Sequence, residues 1–232
     1  MRRELGAAGV EFERLAAVDG AALAPEVVED FRKNRIVAKP DGWLPGEVGC
    51  FLSHLETWRR IAAQDQTWAA VFEDDIHASP ALGPLLLAAD WIPADADIVR
   101  LEANRSMRLT AGRAIDAASG RKVYRALSGT PGSAAYIISR NAAKRLTEVP
   151  PELHSIPDVF LFKPKISPVA KNLRRYQVVP ALCIQDEVLE RGSSEMKSLI
   201  KARNTRGRGY QERSNPFLRL WPILRHAVPF RP

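Results

Sequence analysis

Four short apolar runs punctuate this chain, at 68–72 (WAAVF), 97–101 (DIVRL), 133–139 (SAAYIIS) and 177–184 (QVVPALCI). Runs of this length, rich in Val and Ile, read as buried strands. The stretches between them have a different period. Val48, Phe51, Leu52, Leu55, Trp58 and Ile61 recur at helical spacing over 47–63. Residues 25–31 open on Pro25, which suits a first helical position, 84–89 and 141–148 read as shorter helices, and 157–162 as a short helix or turn. Short strands alternating with helices predict an α/β layered fold. The run at 68–72 is expected to be a buried parallel strand. Residues 10–17 (VEFERLAA) alternate enough to predict one more strand, closed by Asp19-Gly20, and 104–122 a loop or hairpin. Asn141 is the expected cap of the helix it opens, and Pro180 is expected to kink the last strand.

Composition narrows the class. With 232 residues, 46% hydrophobic and 26% charged, the chain is neither disordered nor fibrous, and it is long enough for a sizeable core. Cys50 and Cys183 are too few for a disulfide framework or a four-thiolate zinc site, and read as reduced, buried thiols. No apolar run approaches the roughly 20 residues of a membrane span, and the first residues lack the apolar stretch of a signal peptide, so the cytoplasm is the expected compartment. The net charge of +7 is concentrated in 201–232, which holds eight Lys/Arg against Glu212 alone. Residues 1–200 are therefore neutral, and the basicity is silent about their substrate. The 201–232 stretch interleaves Arg with Tyr210, Phe217, Leu218, Trp221 and Phe230, a pattern suited to an anionic membrane surface. Its segment RNTRGRGY at 203–210 leaves a nucleic-acid tail as the alternative.

The chemistry is concentrated where WAAVF meets Glu73-Asp74-Asp75. Adjacent carboxylates repel unless a cation or ordered donors hold them. Ligands in open α/β sheets bind beyond strand ends. With extended geometry Glu73 and Asp75 share a face and Asp74 takes the other. Such a pair suits Mg2+ or Mn2+ bridging to a diphosphate, and a bound cation offsets charge growing on a departing phosphate.

The segments GEVGCFLSH at 46–54 and VFEDDI at 71–76 resemble glycosyltransferase family 25. DIVRLE at 97–102, Gly129-Thr130 with AYIISR at 135–140, HSIPDVF at 154–160 and PALCIQDE at 180–187 follow in the family's order. The similarity covers roughly residues 1–200 and is nearest the bacterial lipooligosaccharide β-galactosyltransferase branch. It implies a GT-A-like (Rossmann-like) domain over 1–200 with a mostly parallel central sheet, followed by the 201–232 tail. It implies inverting transfer of a hexose, galactose foremost, from a UDP-sugar to a saccharide acceptor of lipopolysaccharide or a lipid-linked glycan. The acidic motif then carries a divalent metal on Glu73, Asp74 and Asp75. The family's usual opening strand has no counterpart here, the match starting near Arg2-Arg3; the alternatives are therefore a catalytically impaired sugar-nucleotide-binding remnant and, from the tail, a nucleic-acid-binding protein.

Inverting transfer needs one general base for the acceptor hydroxyl. Asp158 is the first candidate, Asp186 and Glu187 the second, and Glu102 the third. His54, Arg100, Gly129, Thr130 and Gln185 are expected donor contacts, with Arg100 suited to phosphate and the small-residue loop to close backbone approach. His77 and His154 are weaker candidates to complete a metal shell, and His154 is read first as orienting the loop before Asp158.

Overall fold

The structure, a computed structural model, describes residues 2–7, 9–35, 42–129, 131–186, 188 and 224–228. In chain order the helices and strands are α1 (Arg2–Ala7), α2 (Pro25–Lys33), α3 (Pro45–Ala63), β1 (Trp68–Phe72), β2 (Ile76–Ala78), α4 (Leu82–Leu86), β3 (Ile98–Arg100), β4 (Asn104–Ala117), β5 (Arg121–Ala126), β6 (Ala135–Ser139), α5 (Arg140–Thr147), α6 (Pro157–Phe162), α7 (Pro168–Asn172), β7 (Arg175–Val179), β8 (Cys183–Gln185) and β9 (Leu224–Val228).

Seven strands form one sheet in the order β1-β6-β3-β7-β5-β4-β9, and β2 and β8 form a separate antiparallel ribbon. The fold is α/β, as the alternation implies, but the sheet is not mostly parallel. Among the described pairings of the large sheet only β3 with β7 is parallel; β1–β6, β3–β6, β5–β7, β4–β5 and β4–β9 are antiparallel. A central strand buried on both faces is apolar throughout in either pairing, so the composition of β3 and β6 is silent on direction. β1 stands at the sheet edge, against β6 alone.

Successive residues of β6 go to opposite faces. Tyr136 and Ile138 pack with Phe51, Trp58, Phe160 and Leu146 under α3, α5 and α6. Ala135 and Ile137 pack with Leu5, Leu82, Leu85 and Trp91 under α1 and α4. Each fully buried side chain of this kind contributes about 1.5–3 kcal/mol, so β6, covered on both sides, anchors the strand ends around it.

Local differences from the sequence reading have local causes. Residues 10–17 form no strand; their side chains are mostly exposed, and Glu13 pairs with Arg60 of α3 at 3.1 Å. The Ser53 hydroxyl accepts the Val18 N–H at 2.8 Å and donates to Gly49 O at 2.8 Å. A Cβ on Gly49 would lie 2.6 Å from Val18 O, so only glycine allows this approach. The cap of α5 is Ser139, whose hydroxyl accepts from Ala142 N at 3.1 Å, rather than Asn141. The polar stretch after 104 is a hairpin, β4 with β5. Residues 177–184 divide at Val179-Pro180 between β7 and β8, which belong to different sheets.

Of the 201–232 stretch, Leu224–Val228 pairs with β4 at the far edge of the sheet, and the rest lies outside the described residues. No described helix is long and apolar enough to cross a membrane.

Candidate active site

The last rung of the β1–β6 ladder pairs Phe72 with Ala135, and the Glu73 N–H extends it by donating to Ala134 O at 2.8 Å. Glu73 is thus the first side chain beyond the sheet, held by its own backbone. The chain then turns into β2. Asp74 is exposed, whereas Glu73 and Asp75 are half-buried. The Asp75 carboxyl is raised above its ordinary range by burial first and by the charge of Glu73 second; the adjacent Asp74 acts more weakly. Glu73 and Asp75 therefore share one neighbourhood from which Asp74 is turned away. The Gln185 amide donates to both Asp75 oxygens, at 3.1 and 3.4 Å, and partly offsets that rise. The β2–β8 ribbon delivers this contact, because Ile76 stands opposite Gln185.

The N-terminal half of α3 covers the other side. Pro45 and Glu47, whose carboxylate accepts the Leu44 N–H at 2.9 Å, start the helix. Cys50 and His54, one turn apart, then face Glu73. Cys50 Sγ, a His54 ring nitrogen and a Glu73 oxygen all lie within 4.8 Å of one another. The Cys50 thiol is pushed up to about 12, by burial first and then by the negative charge of Glu73, Asp158, Asp75 and Glu47. Four carboxylates from the end of β1, the start of α6 and the start of α3 thus act on one half-buried thiol. Asp158 sits in the first turn of α6; Lys163 Nζ lies 3.1 Å from its Oδ2, and its buried Oδ1 takes no hydrogen bond from the described residues.

The remaining expected residues divide. Gln185 joins the acids directly. Asp186 is tied to them by its N–H, which donates to Asp75 O at 2.9 Å, while its carboxylate pairs with the His77 ring. Gly129 approaches the end of α6, a Cβ there meeting Phe162 O at 3.2 Å. Thr130 and Glu187 lie outside the described residues. Arg100 differs from expectation: its guanidinium is turned inward, 2% exposed, and is engaged by Glu102 at 3.0 Å and by Pro131 O. It holds Pro131 from within the core instead of presenting itself to a phosphate. Glu102 is equally buried, with its carboxyl raised, by burial above all. His154 is packed between Phe51 and Phe160, with Nε2 donating to Val149 O at 3.1 Å, so its interactions are with core rings and backbone.

Sequence reading passed over Tyr136, Trp58 and Ser133 as site residues. The Trp58 indole N–H donates to the Tyr136 hydroxyl at 2.9 Å, His54 Nδ1 lies 2.8 Å from the same oxygen, and His54 Nε2 lies 3.2 Å from Glu73 Oε1. The Ser133 hydroxyl donates to that same Oε1 at 3.1 Å. One signal was on view: a tyrosine inside an otherwise apolar strand must find a partner for its hydroxyl when buried.

A family profile described as glycosyltransferase family 25 (LPS biosynthesis protein) matches residues 1–160. The chain belongs to glycosyltransferase family 25. It is 27% identical over 195 residues to the lipooligosaccharide biosynthesis protein lic2B of Haemophilus influenzae, an alignment covering 80% of this chain and 70% of the relative. It is 30% identical over 183 residues to the lacto-N-neotetraose biosynthesis glycosyltransferase LgtB of Neisseria meningitidis serogroup B, covering 73% and 66%. A glycosyltransferase 25 family member of Aedes aegypti is 34% identical over 77 residues, 31% of this chain and 13% of that protein. The profile match takes in α3, the acidic turn, the 129–133 loop and Asp158, so every carboxylate named around Cys50 lies inside the family 25 region.

Proposed function

We propose that this family 25 glycosyltransferase moves a hexose, galactose foremost, from a UDP-sugar to a saccharide acceptor of lipopolysaccharide or a related lipid-linked glycan, with inversion at the anomeric carbon. The observation that carries the reading is the cluster beyond the edge strand β1, where Glu73 stands against Cys50 and His54 while Gln185 holds the Asp75 carboxylate. The names of the bacterial relatives, lipooligosaccharide and lacto-N-neotetraose biosynthesis, support the acceptor class.

The acids suit a hard divalent cation, Mn2+ or Mg2+. Their oxygens are the donors such ions take, and Asp75, raised by burial and by Glu73, would be relieved by positive charge. Glu73 and Asp75 would hold the ion, with Asp74 at the rim. The ion would supply charge to offset the negative charge of the leaving UDP. Gln185 fixes the Asp75 carboxylate, while the backbone bond to Ala134 fixes where Glu73 starts.

In the transfer, the acceptor hydroxyl oxygen attacks the anomeric carbon, the bond from that carbon to the diphosphate oxygen breaks, and the hydroxyl proton goes to a carboxylate. Asp158 suits that role by its place in the first turn of α6, where its charge bears on Cys50 together with that of Glu73. Asp186 is the weaker choice, since its carboxylate is already paired with His77. The acceptor's lipid anchor places the enzyme at the inner face of the cytoplasmic membrane, where the basic and aromatic 201–232 stretch suits anionic headgroups.

Asp158→Asn is expected to lower turnover at least about 100-fold with Mn2+-dependent UDP binding unchanged by calorimetry. Near-normal turnover removes Asp158 from the role. Glu73→Gln and Asp75→Asn are each expected to weaken that binding; a wild-type protein that binds UDP equally with and without Mn2+ refutes the metal assignment.

A further inference from the structure

The contacts of Tyr136 decide where a proton sits. Tyr136 is fully buried, and its hydroxyl has one hydrogen to give and two lone pairs to receive with. Trp58 has only a donor, so its indole N–H occupies one lone pair. Among the described residues the hydroxyl hydrogen then has one acceptor in reach, His54 Nδ1 at 2.8 Å. Leaving it without an acceptor inside the core costs about 1–3 kcal/mol. Nδ1 must therefore be bare, and the neutral ring carries its proton on Nε2. That proton points at Glu73 Oε1, 3.2 Å away. The opposite tautomer puts two donors on the tyrosine oxygen, strands the hydroxyl hydrogen and sets the Nε2 lone pair against a carboxylate oxygen. The last two of these are penalties, since the tyrosine oxygen has lone pairs for both donors.

We propose that His54 is a positioning residue for Glu73. Its Nε2–H, fixed there by the buried Tyr136 hydroxyl, and the Ser133 hydroxyl together occupy Oε1 and leave Oε2 as the oxygen for the donor-bound cation. This rests on the reading of Glu73 under Proposed function. It also gives the Cys50–His54–Glu73 cluster a definite character. The three ligand atoms are close enough to suggest a thiophilic metal such as Zn2+. However, the His54 lone pair faces Tyr136, not the cluster, so this ring acts behind a ligand instead of as one. Partners behind metal ligands typically set metal affinity by about 10- to 100-fold.

The test uses the full chain labelled with 15N. Of the four histidines, His54 is identified by the ring signals lost in His54→Gln. Long-range proton–nitrogen correlation is expected to show His54 with a bare Nδ1 and a protonated Nε2, and Tyr136→Phe is expected to shift it toward a mixture of tautomers. In calorimetry with UDP and Mn2+, His54→Leu should bind Mn2+ about 10-fold or more weakly, while His54→Gln, whose amide can still donate to Glu73, should recover to within about threefold. A protonated Nδ1 in the wild type overturns the assignment, as does His54→Leu with unchanged Mn2+ affinity, or tight Zn2+ binding that His54→Leu abolishes. Because the tautomer is read without metal, its failure is distinct from failure of the reading it rests on. A wild type that shows the Nε2–H tautomer but binds no Mn2+ overturns the donor-site reading and the positioning role with it, leaving only the hydrogen-bond chain.

Discussion

Two polar clusters flank the loop before β6, and they are built on opposite principles. In the Trp58–Tyr136–His54–Glu73 chain every buried donor meets an acceptor and the sequence of bonds runs out to a half-exposed carboxylate. In the Arg100–Glu102 pair two ionisable groups are buried side by side, yet among the described residues Arg100 Nε, Arg100 Nη1 and Glu102 Oε1 have no hydrogen-bond partner. Both clusters grip the same few residues. Ser133 belongs to the first, while Pro131 O and Ala134 N–H belong to the second. A saturated network has one geometry; an unsaturated charge pair is stable only while its surroundings stay closed. The 131–134 segment is therefore fixed on its Glu73 side and held under electrostatic load on its Arg100 side.

The largest effect should come from breaking the loaded side. Arg100→Met removes one partner and leaves Glu102 buried and unpaired, which should cost about 3–5 kcal/mol in urea unfolding. Arg100→Met with Glu102→Leu should lose less than the single variant, although it frees the Ala134 N–H. If the double loses more, the pair is better satisfied than its contacts show. The same pair gives a pH signature. Burial holds the Glu102 carboxyl above its ordinary value of 4.5. As pH rises from 4.5 toward that raised value, the unfolded chain sheds this proton first and the folded chain keeps it. The folded state then binds more protons, so this group's contribution to stability falls as pH increases. Glu102→Gln should remove that downward slope from a pH series of unfolding midpoints.

Next in size is Gly132→Ala. Gly132 has φ +87, in the region glycine favours, and an added Cβ would stand 2.3 Å from Glu102 Oε1 and 2.9 Å from Arg100 Nη2. Backbone strain of this kind costs about 1–3 kcal/mol, and the clash falls on charged atoms with no room to turn. The loop should open toward solvent, seen as faster amide exchange at Ser133 and Ala134 than in the wild type. Unchanged exchange would show the Arg100 side to be slack.

The sequence made one of these clusters far more visible than the other. The acids after β1 stand in unbroken succession, and helical spacing placed His54 on α3 with its apolar face inward. The layered fold followed from the alternation of periods, and Pro25 sits in the first turn of a helix as expected. What could not be read is whatever depends on distant pairing. His54 and Tyr136 are 82 residues apart, and Gln185 and Asp75 are 110 apart; no periodicity links such positions. Arg100 looked like a phosphate ligand because a sequence shows its charge but not that it lies beneath Pro131. Strand direction was lost for a similar reason: an apolar run carries burial, whereas direction is set by which strand ends the connections reach.

The smallest effect should come from the saturated side. Ser133→Ala deletes one of two donors to Glu73 Oε1 while His54 Nε2 keeps the other. A hydrogen bond of this sort contributes about 0.5–1.5 kcal/mol net, and its loss costs more only when it strands a buried group. Nothing is stranded here, because the Glu73 side chain is 27% exposed and water can replace the hydroxyl. The expected loss in urea unfolding is therefore below about 1 kcal/mol, smaller than that of Gly132→Ala one residue away. If Ser133→Ala instead destabilises as much as Gly132→Ala, the Glu73 side carries load too, and the contrast between a saturated network and a strained pair does not describe this loop.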